Sequence, residues 1–170
     1  MNVPPRYRRS TGLIWLGPLA FLLHDSEEVA TVESWLRQHR AELPAYAQPL
    51  AGVTATQFAT VAAALLAAYA LAAWHGVRAI GKGRTPLPFL VMTGVFVSNG
   101  LTHLLQVLYF RAYTPGAWTA ALMSVPYGIA LWRLLPSSGI ASRALLGSMI
   151  LVGFGIQLIL AVLVFSLSAL

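Results

Sequence analysis

Five residues of this chain have the types and spacing to act together chemically. The stretch HDSEE sets His24 three residues before Glu27 and four before Glu28. Both spacings put side chains on one helical face, so one imidazole and two carboxylates are expected to converge, with Asp25 turned elsewhere. The stretch NGLTH sets Asn99 four residues before His103. Two imidazoles and a carboxylate form the ligand set of a catalytic zinc centre with an open position, and the same set serves iron. On this reading His24, His103 and Glu27 or Glu28 hold a divalent transition metal, zinc or iron. The other glutamate then acts as general base toward the bound water. Asn99 orients a ligand or holds a developing oxyanion.

Two other classes use the same residues. A metal-free enzyme, such as an isomerase, a cyclase or a glutamate-dependent hydrolase, would divide the two glutamates into an acid and a base. A non-enzymatic transporter or binding protein would use the histidine and glutamate pairs as a proton relay. The lack of an internal repeat separates the chain from inverted-repeat transporters.

The elements that carry these groups must lie in a membrane. Hydrophobic residues make up 58% of the 170 and charged residues 9%, with a mean hydropathy of +0.71. Soluble domains carry about 25% charged residues, so this chain cannot cover a water-facing surface. An all-α integral membrane bundle is expected, a single domain over residues 1–170. The absence of cysteine excludes disulfides, thiolate metal sites and cysteine nucleophiles. The net charge of +6 is spread among loop positions, as membrane topology alone requires, so no nucleic-acid partner is expected. The expected partners are membrane lipid and a small apolar or lipid-like substrate.

Five spans are expected, at residues 11–32, 54–77, 87–110, 116–135 and 144–169. A hydrocarbon core of about 30 Å needs about 20 apolar residues. The first span reaches that length only if HDSEE lies inside the bilayer. The opening MNVPPRYRRSTGLIWLGPLAFLL is similar to a signal peptide, but acidic residues follow Leu23 in place of a small-x-small site, so it reads as a retained helix. With the N-terminus cytoplasmic, Arg6, Arg8, Arg9, Arg78, Lys82, Arg84, Arg133 and Arg143 fall inside, while Arg37, Arg40 and Arg111 fall outside. That asymmetry obeys the positive-inside rule and suits a multi-pass protein of a bacterial-type plasma membrane. On this topology His24 and Asn99 lie about 18–20 Å into parallel helices, and His103 about 24 Å. The two polar clusters therefore share a depth.

HDSEE at His24–Glu28 resembles the signature of the HXXEE family, small membrane proteins of unestablished function. NGLTH at Asn99–His103 is similar to that family's N-x-x-x-H motif, and YTPG at Tyr113–Gly116 to its Y-S/T-P-G turn before the fourth helix. Pro126 in SVPYG fits the proline of that helix. The resemblance covers most of the chain in the right order. It implies a polar intramembrane site and supplies no reaction. Gln57, Gln106, Tyr109, Tyr127 and Gln157 read as supporting polar groups, and Arg111 as a group at the outer mouth.

Overall fold

Lipid offers no hydrogen bonds, so long apolar runs must satisfy their backbone groups within helices. The computed structural model describes residues 8–168 of the chain, and the side chains of 9–45 and 47–160. Arg6 and residue 169 lie outside the described residues. Among the described residues every regular element is helical. These elements are α1 (Arg8–Gln38), 3-10 segments at Arg40–Glu42 and Ala45–Gly52, α2 (Ala55–Gly81), α3 (Leu87–Phe110), α4 (residues 117–137) and α5 (Arg143–Ser168).

Among the described residues three helices are long and apolar enough to cross a membrane: Ala55–Gly81, Leu87–Phe110 and Arg143–Leu160. This corrects the expectation of five. In α1 the cluster of Asp25, Glu27 and Glu28 interrupts the apolar run. In α4 the helix is divided, with Ala117–Thr119 joined to Val125–Ser137 through a π-helical turn, Ala120–Ser124. Pro126 has no N–H to return to the preceding turn, which loosens the helix there. Leu71, Leu105, Leu108, Leu122 and Leu151 are all exposed, an apolar surface suited to lipid.

The 3-10 segments return the chain from the end of α1 to the start of α2. Thr54 and Gln57 form a reciprocal cap there, and Glu33 of α1 accepts a hydrogen bond from Ala55 N at 2.7 Å. Together they satisfy amides that a helix start leaves unpaired. Gln57 is thus a capping residue. α3 and α5 approach closely at two glycines. A Cβ on Gly94 would fall on the Met149 carbonyl, and one on Gly153 on the carbonyl of Gly94, the close backbone contact that small residues permit.

Two apolar clusters bracket the middle of α1. Ile14, Phe21, Tyr69, Phe96, Tyr127 and Leu131 belong to the larger one. Trp35, Leu36, Leu43 and Ala47 form the smaller one, beyond Glu28. HDSEE lies between them.

Candidate functional site

His24 and Glu28 share one face of α1, and Asn99 and His103 share one face of α3. The two faces meet. His103 Nε2 stands 3.0 Å from Glu28 Oε1, and His24 Nε2 stands 3.5 Å from Glu28 Oε2. Asn99 Nδ2 lies 3.0 Å from His24 Nε2 and 3.1 Å from His103 Nε2. His24, Glu28 and His103 are all buried. Each offers one ligand atom, and these atoms lie within 4.8 Å of one another. Ligands held about 2.1 Å from a tetrahedral ion stand about 3.4 Å apart, so small side-chain adjustments bring the three to that spacing.

The hydrogen-bond pattern assigns the protons around His24. Thr119 Oγ1 donates to Glu27 Oε2 at 2.6 Å, so its single proton is spent. The 2.8 Å contact between Thr119 Oγ1 and His24 Nδ1 must then be donated by the imidazole. His24 carries its proton on Nδ1 and turns the Nε2 lone pair toward Asn99, Glu28 and His103. A ligand histidine is held in this way when its other ring nitrogen is anchored. His103 differs, because its Nδ1 is buried with no hydrogen-bond partner among the described residues. The polar network does not close on itself. A lone pair and a carboxylate face a second imidazole, with only the Asn99 amide and one imidazole proton to share among them.

The structure separates the two glutamates, which corrects the expectation that both converge with His24. Glu27 turns to the start of α4. Its Oε2 accepts from Thr119 N at 2.8 Å, and its Oε1 accepts from Tyr113 Oη at 2.7 Å and Trp118 N at 3.3 Å. A carboxylate there satisfies amides at a helix start and meets the positive end of the helix dipole. Glu27 is linked to His24 by hydrogen bonds through Thr119. Burial, the largest influence, and the nearby Glu27 raise the Tyr113 phenol above its ordinary value, against the Thr31 hydrogen bond. Tyr113 therefore remains a donor.

Asp25 is also corrected. Instead of turning away, it is buried and lines the same cavity as Glu28, Asn99 and His103. It has no hydrogen bond among the described residues.

The turn before α4 covers the site. Gly116 adopts φ +80°, and a Cβ there would lie 3.0 Å from Glu28 Cγ and 3.1 Å from His103 Nε2. Only glycine meets both demands cheaply. Thr114 Oγ1 donates to the His103 carbonyl at 3.4 Å, and Trp35 Nε1 to the Tyr113 carbonyl at 2.8 Å. Thr119 was not singled out from the sequence. Its one signal is a hydroxyl three residues after the YTPG glycine.

The site opens onto a cavity of about 410 Å³ bounded by α1, α2, α3, α5 and the second 3-10 segment. Phe21, Val32, Leu36, Phe58, Val61 and Leu65 supply much of its apolar wall. Gln106 and Gln157 also reach it, and Gln157 bridges α5 to the Val95 carbonyl and Ser98 of α3. Tyr127 instead donates to the Leu13 carbonyl, bridging α4 and α1, and Tyr109 is exposed.

A family model described as a protein of unknown function with HXXEE motif matches residues 15–131. No curated protein and no solved structure gives a match.

Proposed function

The chain belongs to the HXXEE family, and from that premise and the pocket chemistry we propose that it is a metal-dependent intramembrane enzyme, hydrolase-like, acting on an apolar or lipid-like substrate. One observation carries the reading. Two imidazoles and one carboxylate converge in a buried corner that opens onto a mainly apolar cavity. Sites for small molecules combine such walls with a few convergent polar groups.

His24, Glu28 and His103 would hold a divalent transition ion, zinc or iron, whose Lewis acidity would serve to polarise an acyl oxygen and activate water. Asn99 directs its amide into the same corner and serves the oxyanion that develops on the substrate. Glu27 keeps His24 in its ligating tautomer through Thr119 and touches no substrate. The base role passes to Asp25, the carboxyl group that faces the cavity without a hydrogen-bond partner. It takes the proton from the attacking water and returns it to the leaving oxygen or nitrogen, so that one water is added across the broken acyl bond.

In this reading α1 and α4 pack against the three apolar helices of a multi-pass bundle in a bacterial-type plasma membrane. Their polar residues turn inward and the N-terminus lies in the cytoplasm, on the side with the excess of basic loop residues.

Elemental analysis of purified protein tests the proposal. Wild type should carry about one equivalent of transition metal per chain, and His24→Ala, His103→Ala and Glu28→Gln should each lose it. A metal-free wild type that folds normally overturns the metal. The 3.0 Å Glu28–His103 pair then supports acid–base chemistry instead.

A further inference from the structure

A second cavity, of about 300 Å³, lies between α1 and α2. It shares two lining residues with the cavity at the site, Asp25 and Ala62. Its remaining wall is almost wholly aliphatic: Leu22, Val29 and Ala30 from α1, with Ala59, Ala63 and Leu66 from α2. The alanines keep the two helices from filling the space between them. At about 30 Å³ for each water-sized unit, the first cavity holds roughly fourteen such units and the second roughly ten.

Among the described residues no lysine or arginine lines either cavity, and the ionisable groups that do are Asp25, Glu28 and His103. Proteins that take phosphate or carboxylate head groups meet them with arginine forks or lysine ammonium groups. Burying an anion among carboxyl groups and apolar walls carries a large desolvation penalty.

We infer that the α1–α2 chamber is the chain subsite of this enzyme, and that its substrate is a long-chain amphiphile with an uncharged, carbonyl-type head. The head lies in the corner formed by Glu28, Asn99 and His103. The chain passes Asp25 and Ala62 into the α1–α2 chamber, and a chain longer than about a dozen carbons is needed to use it. The inference rests on the proposed site for the head and adds the class of molecule and the path of its chain.

Binding of radiolabelled hexadecanamide and octanamide to the full chain in phosphatidylcholine nanodiscs, with empty nanodiscs subtracted, tests this. Hexadecanamide should bind at least tenfold more tightly than octanamide, and hexadecyl phosphate should fail to displace it. Ala62→Phe, which plugs the junction, should erase the chain-length preference. Ala63→Leu, a smaller change confined to the second chamber, should weaken hexadecanamide alone and guards against a misfolded Ala62→Phe. Three outcomes overturn the inference: a chain-length preference that survives both variants, equal displacement by hexadecyl phosphate, or no saturable binding because bilayer lipid fills the groove. Metal content is measured separately on the same preparations. Length-dependent binding to a metal-free protein leaves the chain subsite standing and removes the metal, whereas stoichiometric metal without binding does the reverse.

Discussion

Replacing Thr119 by valine tests whether His24 is aimed by hydrogen bonds or by packing alone. Valine keeps the branched shape and deletes the hydroxyl that receives the His24 Nδ1 proton at 2.8 Å and donates to Glu27 at 2.6 Å. His24 is fully buried, so no water can take over. An unpaired buried donor costs about 1–3 kcal/mol. At about 1.4 kcal/mol per tenfold, that is a weakening of roughly 5- to 150-fold for an ion whose binding requires this tautomer. Removing groups that orient ligand histidines typically costs about 10–100-fold, which agrees. Glu27 keeps the Tyr113 hydroxyl and two backbone amides, so the fold itself should lose only about 1 kcal/mol, or about 2–4 °C in unfolding midpoint. Competitive zinc titration against a chromophoric chelator, beside a thermal unfolding curve, reads both quantities. Zinc affinity within threefold of wild type in a folded Thr119→Val protein would refute the relay. Glu27→Gln, whose amide oxygen still accepts from Thr119, should fall between wild type and Thr119→Val. If it loses zinc as fully as Glu28→Gln, Glu27 is a ligand.

Other substitutions address the turn, the packing and the topology. Gly116→Ala places a Cβ against Glu28 and His103 at a left-handed φ, so it should destabilise the protein by at least about 1–2 kcal/mol and abolish metal binding, read by thermal unfolding and elemental analysis. Gly94→Leu cannot fit against the Met149 carbonyl. It should separate α3 from α5 and raise protease sensitivity at micromolar protein, whereas Gly155→Leu, at an open position, should not. Because the chain has no cysteine, single cysteines report sidedness directly. Lys82→Cys should react with an impermeant maleimide only from the cytoplasmic side, and Arg40→Cys and Arg111→Cys only from the opposite side; any other pattern contradicts the proposed orientation.

Helical spacing and matched depth were enough to bring His24 to Asn99 and His103, because both cues are local or follow from where a helix enters the bilayer. The fate of each acidic residue was not legible. Residues three and four positions beyond His24 lie about 100° apart around the helix, and both count as neighbours of it. What separates them is the partner each finds. Glu28 meets His103 across α3, whereas Glu27 meets Thr119, 92 residues away in sequence. Asp25 looked misdirected only because α2 was absent from the helical-face argument, and the α1–α2 cavity gives it somewhere to point. The charged cluster of α1 and the π turn of α4 were likewise absorbed into regular spans, since span length measures apolar content and is blind to an altered helical pitch.

The π turn of α4 sets an angle rather than a distance. A π turn carries one residue more than an α turn, so everything before it is advanced by about 100° relative to an uninterrupted helix. The part of α4 after the turn is anchored in the core by Tyr127, Leu131 and Leu135, and the part before it presents Thr119 to His24. The two halves of one helix are therefore out of phase by a single residue. Deleting Ala121 would restore regular pitch and swing Thr119 away from the imidazole without altering any residue that touches it. The aim of His24 is written partly in a residue count.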